Sequence, residues 1–248
     1  MIDVRAPVEF QSGALPLSEN LILMSDDERQ QVGICYKEQG SQAAINLGHH
    51  LVNGEKKQRR IDAWVDFLIS NPNAVLYCAR GGLRSQISQQ WLADAGVICP
   101  RIEGGYKSLR RFLINQTANL SSSEKFVLLS GMTGTGKTDI IKSLSRSIDL
   151  EGAANHKGSS FGRPLDQQPS QVDFENKIVL DLMAVKQKYP QRSITLEDES
   201  RNIGSRHLPI PLTDAMNRSP MVVIELSCNL KKSQPMLRIM VLLFCITN

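Results

Sequence analysis

The sequence predicts an α/β protein built as two successive domains. Short apolar runs bounded by turn residues alternate along the chain with stretches whose apolar residues recur at helical spacing, which implies parallel sheets covered by helices. A short polar, serine-rich piece, "NLSSSEK" (119–125), separates two segments that each show this alternation, and it reads as a linker. The 248 residues are enough for two ordinary cores.

In the first segment, "DDERQQVGICYKEQ" and "GSQAAINLGHHLV" have helical spacing. "RRIDAWVDFLIS" has it more clearly, with Ile61, Trp64, Val65 and Leu68 on one face and a stop at "NPN". "AVLYC" (74–78) reads as a buried parallel strand, "SQISQQWLADAG" as a helix ending at Gly96, "GVICP" as another strand and "RIEGGYKSLRRFLI" as a turn into a basic helix. The second segment opens with a strand, "KFVLLSG", a glycine-rich turn and a helix from Lys137 to about Ile148. Residues 152–173, rich in Gly, Ser, Gln and Pro, read as an irregular functional loop. "FENKIVLDLMAVKQKY" reads as a helix, and "SITLEDES" and "MVVIELS" as strands.

Composition narrows the function classes. The net charge of +4 permits a polyanionic partner without demanding one. No run of 18 apolar residues occurs, and "MIDVRAPVEF" lacks the apolar core of a signal peptide, so the expectation is a cytoplasmic protein without a membrane partner. Five scattered cysteines with no CxxC pair argue against a disulfide framework or a zinc site, and no metal ligand set stands out.

Two motifs carry chemistry. Cys78 leads directly into "ARGGLRS": Gly81 and Gly82 let the backbone curl round an anion, Arg80 and Arg84 supply charge, and Ser85 begins the next helix. These surroundings favour a thiolate, so Cys78 is the catalytic candidate, and the alternative is a buried strand-end cysteine. "GMTGTGKT", comprising Gly131, Met132, Thr133, Gly134, Thr135, Gly136, Lys137 and Thr138, fits G-x-x-x-x-G-K-[ST] after a strand and before a helix. Its N–H groups and Lys137 are suited to a phosphate, and the Thr138 hydroxyl to Mg²⁺. Glu197, Asp198 and Glu199 at a strand end either position Mg²⁺ or its water, or merely solvate that end. His156, Lys157 and Arg163 form a further basic cluster that either contacts phosphate or RNA or lies in a surface loop.

Residues 3–20, "DVRAPVEFQSGALPLSEN", together with "CARGGLRS" and "IEGGYKSL", resemble the signature of rhodanese-like domains, with the leading strand missing and one extra residue before Arg84. The extra residue implies a larger bound anion or selenium chemistry. With "GMTGTGKT", "HKGSSFG" and "LEDESRNIG" following in order, residues 1–225 resemble the bacterial tRNA 2-selenouridine synthase family. The resemblance implies a rhodanese-like parallel-sheet domain (1–118), a linker (119–125) and an incomplete P-loop NTPase-like α/β domain (126–226). It implies replacement of sulfur by selenium in wobble 2-thiouridine of tRNA, with selenophosphate and geranyl diphosphate as substrates and a geranylated base as intermediate. Cys78 would carry selenium as a perselenide, and Arg80, Arg84 and the loop backbone would hold selenophosphate or phosphate. The P-loop would hold the diphosphate, Mg²⁺ is a cofactor to test, and Lys56, Lys57, Arg59, Arg60, Arg110 and Arg111 are candidates for a tRNA path. A selenophosphate-producing enzyme is an implied partner. The competing expectations are a sulfurtransferase or thiol-based phosphatase with a regulatory nucleotide-binding P-loop domain, and an inactive tRNA-binding remnant. Residues 227–248, "SCNLKKSQPMLRIMVLLFCITN", depart from the family pattern and read as truncated or out-of-frame sequence, which would leave the second sheet short of strands.

Overall fold

The computed structural model describes residues 1–132, 134–156, 167–190, 192–227 and 236–240, and the chain divides into two compact units at Phe112/Leu113. In the first unit, β1 (Ile2–Asp3) begins at once and is followed by α1 (Pro7–Gln11) and β2 (Glu19–Asn20). Then come α2 (Asp26–Leu51), α3 (Gly54–Ser70), β3 (Leu76–Tyr77), α4 (Leu83–Asp94) and α5 (Gly105–Ser123), whose later turns belong to the second unit. The sheet is parallel, in the order β2-β1-β3. "GVICP" does not form the expected strand. It supplies one bridge, Leu76 to Arg101, flanked by Leu76 N–H to Pro100 O and Ile102 N–H to Leu76 O; Pro100 has no N–H with which to extend a ladder.

Capping and turn chemistry explain the helices. Ser25 and Glu28 form a reciprocal capping box at the start of α2, three acids lie in its first turn, and Gly40 (φ +85°, ψ −176°) breaks it into two arms. Gly96 at φ +80° follows the end of α4. The core gathers Ile2, Val4, Leu76 and Leu92 around Trp64 and Trp91, whose rings stack at 6.2 Å. Trp64 keeps its one donor satisfied through Nε1–H to Leu21 O at 2.8 Å.

Asp3 and Arg5 are also buried, at 0% and 3% exposure, and form a forked ion pair at 2.6–3.0 Å. The Arg5 guanidinium also donates to Gly13 O and stacks 4.0 Å from the Tyr106 ring centroid. Removing either partner would strand a buried charge at a cost of about 3–5 kcal/mol, so this pair holds the sheet to the α5 N-terminus.

The serine-rich piece expected as a linker is helical in the structure: residues 119–123 close α5, because Leu120 and Ser121 are buried and Ser122 Oγ donates to Asn119 O at 2.9 Å. In the second unit, β4 (Phe126–Gly131), α6 (Lys137–Ser143), β5 (Ser147–Ile148), α7 (Leu150–Ala153), α8 (Gln171–Lys188) and β6 (Ile194–Glu197) follow. Next come a hairpin of β7 (Asn202–Ile203) and β8 (Arg206–His207), α9 (Ile210–Asn217), β9 (Met221–Ser227) and β10 (Met236–Met240). The sheet order is β10-β9-β4-β6-β5, parallel except for antiparallel β10 on β9.

The helix expected over 137–148 stops at Ser143. The Arg146 guanidinium reaches Ser193 O and Arg192 O, and the Arg146 carbonyl accepts from Thr195 N–H, so this stretch is drawn onto β6 as an edge strand. At the ends of the stretch expected as an irregular loop, α7 closes at Ala153 and α8 begins at Gln171, and Gln168 donates to Ala154 O and Ile203 O; residues 157–166 of that expected loop lie outside the described residues. Lys157 and Arg163 lie outside the described residues. The 227–248 stretch contributes β10, which pairs the β9 edge from Met236↔Ser227 to Met240↔Val223. Among the described residues, no helix is long and apolar enough to cross a membrane.

Candidate functional sites

The Cys78 loop joins β3 to α4, and its shape is imposed from α5. Tyr106 N–H donates to Cys78 O at 2.8 Å, Lys107 N–H to Ala79 O at 3.0 Å, and the Arg101 guanidinium to Gly81 O at 2.6 Å. With its carbonyls occupied outward, the loop turns N–H groups toward the sulfur. Two glycines make this approach possible. A Cβ on Gly105 (φ +56°) would stand 2.2 Å from Cys78 O, and one on Gly81 (φ +65°) 2.6 Å from Gly104 N.

Cys78 is 2% exposed, and its thiol donates to Ser85 Oγ at 3.2 Å, while that hydroxyl donates on to Gly82 O at 3.0 Å. Burial alone would push the thiol up. The Ser85 hydroxyl, the N–H groups of Arg80 and Ser85 and the Arg84 charge outweigh it and hold the thiol below the ordinary cysteine value. On ionisation the Ser85 hydroxyl can turn from Gly82 O to donate to the thiolate. Cys99, by contrast, is pushed up by burial. Ser85→Ala removes one donor while Gly82 O keeps its helix-capping neighbours. The ¹³Cβ shift of Cys78 followed against pH should then show ionisation at higher pH than in the parent, with little loss of stability.

Two expected site residues are placed differently. Arg84 does not point free into the loop: it forms a forked pair with Glu9 at 2.5 and 3.0 Å, so its charge acts on Cys78 as part of a pair. Against the cost of burial, Arg84, Ala6 N–H and Arg29 hold Glu9 below the usual carboxylate range. Ser85 lies inside α4, whose N-cap is Gly82. Arg80 is exposed. Glu9 and Arg101 were missed by the sequence reading; the pattern "VEF" marked Glu9 only as part of a signature, and Arg101 gave no local signal.

Several basic candidates for a polyanion path are already engaged. Glu28 receives Lys56 Nζ at 2.7 Å and Arg60 at 2.8 Å, and these partners with Ser25 N–H overcome burial and lower its carboxyl to about 2. Arg59 pairs with Glu55, and Lys57 Nζ lies 4.5 Å over the Trp91 ring. Arg110 and Arg111 lie on α5, where Arg111 is exposed.

The second site is the turn between β4 and α6. Gly131 approaches β9 so closely that a Cβ would stand 2.8 Å from Ile224 O, and Gly134 and Gly136 hold φ of +86° and +80°. Thr135 Oγ1 donates to Met132 O at 2.8 Å, and Lys137 Nζ folds back to donate to Gly131 O. Thr133 lies outside the described residues. A phosphate entering the turn would draw the ammonium off Gly131 O and meet the N–H groups at the start of α6.

The strand-end acids take separate positions. Asp198 N–H donates to Leu129 O at 3.0 Å, which sets Asp198 beside the end of β4. Glu197 is 1% exposed; its Oε2 accepts from Glu151 N–H at 3.0 Å and its Oε1 has no partner. Burial, with Asp149, Glu151 and Glu199 nearby and only the Glu151 N–H opposing, raises its carboxyl to about 7. Glu199 is raised too, by burial and then Glu151, with Lys137 pulling against them.

Among the described residues, no group of three His, Cys, Asp or Glu is placed to hold a metal ion. A raised carboxyl destabilises the fold as it ionises: folded Glu197 keeps its proton while the unfolded chain loses its own above about 4.5, so stability falls between there and about 7. Glu197→Gln should leave stability at pH 4 nearly unchanged and raise it at pH 8 by about 3 kcal/mol, read by denaturant unfolding at both pH values.

Known proteins resemble the chain along most of its length. The family model described as "tRNA 2-selenouridine synthase AAA domain" matches residues 124–236. A curated tRNA 2-selenouridine synthase from Pseudomonas fluorescens is 55% identical over 225 residues, covering 91% of this chain and 62% of that protein. Its counterpart from Azotobacter vinelandii is 53% identical over 226 residues, covering 91% and 61%. Over nine-tenths of its length the chain is similar to these tRNA 2-selenouridine synthases. It spans about three fifths of the length of these tRNA 2-selenouridine synthases. A solved structure, the N-terminal domain of a putative ATP/GTP binding protein from Clostridium difficile 630, is 36% identical with a TM-score of 0.42, covering 45% of this chain and 86% of that one.

Proposed function

We propose that the chain acts as a tRNA 2-selenouridine synthase, a transferase that replaces sulfur by selenium at wobble 2-thiouridine through an S-geranylated base. The observation that carries this reading is the acidified Cys78 thiol inside a ring of loop N–H groups, on a chain that also bears a complete phosphate-loop motif. In the first step the 2-thio sulfur attacks C1 of geranyl diphosphate, and the C–O bond breaks with its electron pair leaving on the diphosphate. Gly131–Thr138 suit that leaving group: their N–H groups and Lys137 stabilise the charge that develops on it, which is the part of the barrier an electrostatic cradle lowers. Mg²⁺, when bound, would add Lewis-acid stabilisation of the same charge.

In the second step the geranylthio group is exchanged for selenium derived from selenophosphate, supplied by a selenophosphate-producing enzyme. Selenium of the selenophosphate, held by the Cys78 loop (a rhodanese-like feature in this reading), attacks C2 of the base. The geranylthiolate leaves with the C–S electron pair and takes up the Cys78 proton, and water then cleaves the P–Se bond to release phosphate. Burial keeps the thiol dry, and the loop N–H groups favour both the thiolate and a bound oxyanion. The test incubates the protein with 2-thiouridine tRNA, selenophosphate and geranyl diphosphate and analyses the nucleosides by mass spectrometry. Selenouridine, with S-geranyl-2-thiouridine appearing first, is expected. Neither nucleoside forming, or ATP hydrolysis uncoupled from tRNA, would overturn the reading.

A further inference from the structure

A cavity of about 320 Å³ opens in the first unit within the elbow of α2, at the small end of the range for small-ligand clefts (~300–1,000 Å³). The break at Gly40 makes it: Val32, Gly33 and Tyr36 from one arm of α2 face Ala44 and Ile45 from the other, and Trp91 closes the floor. Leu83, Arg84 and Ile87, the first turns of α4 after the Cys78 loop, form the remaining wall. The lining is overwhelmingly apolar, and Tyr36 and Leu83 remain 60% and 50% exposed.

The charges around this cavity restrict what can enter it. Arg29, Arg84 and His49 line it and Lys57 sits over Trp91, but Glu9 is forked onto Arg84 and lies 4.0 Å from Arg29. The two arginines and Glu9 therefore sum to a single positive charge, too little for a diphosphate, which calls for several free donors. Lys57, over the Trp91 ring, adds a further cation beside the cavity, which suits a ligand whose body is anionic.

We propose that this cavity receives the apolar chain of an S-alkylated nucleobase within RNA, holding that base beside the Cys78 loop. This rests on the proposed function, in which the chain is the geranyl group and the step at Cys78 is its exchange for selenium. The cavity would then discriminate the geranylated base from unmodified 2-thiouridine, so that selenium is delivered only after alkylation. The apolar chain also gives the departing geranylthiol a place to remain until exchange is complete.

The test uses the full chain and two synthetic RNA hairpins, one carrying S-geranyl-2-thiouridine and one 2-thiouridine, with binding followed by fluorescence anisotropy. The geranylated hairpin should bind about 10–100-fold more tightly. Gly33→Leu fills the elbow at a helical position where a Cβ meets nothing within 4 Å, and it should abolish that preference while leaving 2-thiouridine binding unchanged. Ile45→Phe from the opposite arm is the second variant, and thermal unfolding verifies that each is folded. Equal binding of both hairpins by the parent, or an undiminished preference in both folded variants, overturns the proposal. Competition by free geranyl diphosphate that the same variants abolish would assign the cavity to the prenyl donor and overturn the base-linked form. Because the geranylated RNA is supplied ready-made, discrimination without any selenouridine synthesis would sink the proposed function alone. Selenouridine synthesis without discrimination would sink this inference alone.

Discussion

Cys78→Ala should reduce selenouridine formation at least ~10³-fold while S-geranyl-2-thiouridine accumulates. The side chain is small and already buried, so alanine leaves β3 and the α5 contacts in place, and the fold is expected to survive with the loss of no more than about 1–2 kcal/mol. What disappears is the acidic thiol of the loop, the proton donor to the departing geranylthiolate. Nucleoside mass spectrometry on tRNA treated with parent and variant reads both species in one run. Undiminished selenouridine would remove Cys78 from the chemistry and leave its acidity without a catalytic role.

Lys137→Ala should act on the other half of the reaction. Removing the ammonium from the phosphate turn takes away the point charge that meets the leaving diphosphate, so geranylation should slow about 10²–10³-fold. Selenouridine formation from ready-made geranylated tRNA should then continue at the parent rate. The ammonium donates to Gly131 O, while the turn is shaped by the positive φ of Gly134 and Gly136 and by Thr135 N–H to Met132 O, so the turn itself is expected to persist. A single-turnover time course from geranyl diphosphate, set beside one from geranylated tRNA, separates the two steps. Equal slowing of both would show that Lys137 serves the fold or the binding of RNA rather than the leaving group.

Local signals were legible where chemistry depends on neighbours in sequence. The strand, glycine turn and helix around Gly131–Thr138 follow from residues within about a dozen positions. The same holds for the amphipathic face of α3 and the strand-end position of Glu197. Misreadings arose where distant contacts override local preference. Serines at 121–123 look like linker residues, yet burial of Leu120 and Ser121 carries the helix through them. Residues 144–148 continue the apolar pattern of α6, but Arg146 is pulled to the carbonyls of residues 192 and 193 and the chain straightens. The destination of Arg84 was hidden for the same reason. Its partner Glu9 lies 75 residues away, and no local pattern reveals that a loop arginine is already neutralised. The cavity in the α2 elbow was equally invisible, because Gly40 looked like one more glycine between two helical runs.

The interlocked backbones of Gly81 and Gly105 also set when the loop takes its final shape. Cys78 leaves a ribosome well before the turn at 104–105 that shapes its loop, and until that turn arrives nothing orients the loop N–H groups toward the sulfur. During synthesis the loop therefore lacks the two α5 N–H groups that tie down its Cys78 and Ala79 carbonyls, and its shape is completed only when α5 docks. A nascent or partly unfolded chain carries an unfinished loop. Completion of the first unit's fold is the step that finishes it.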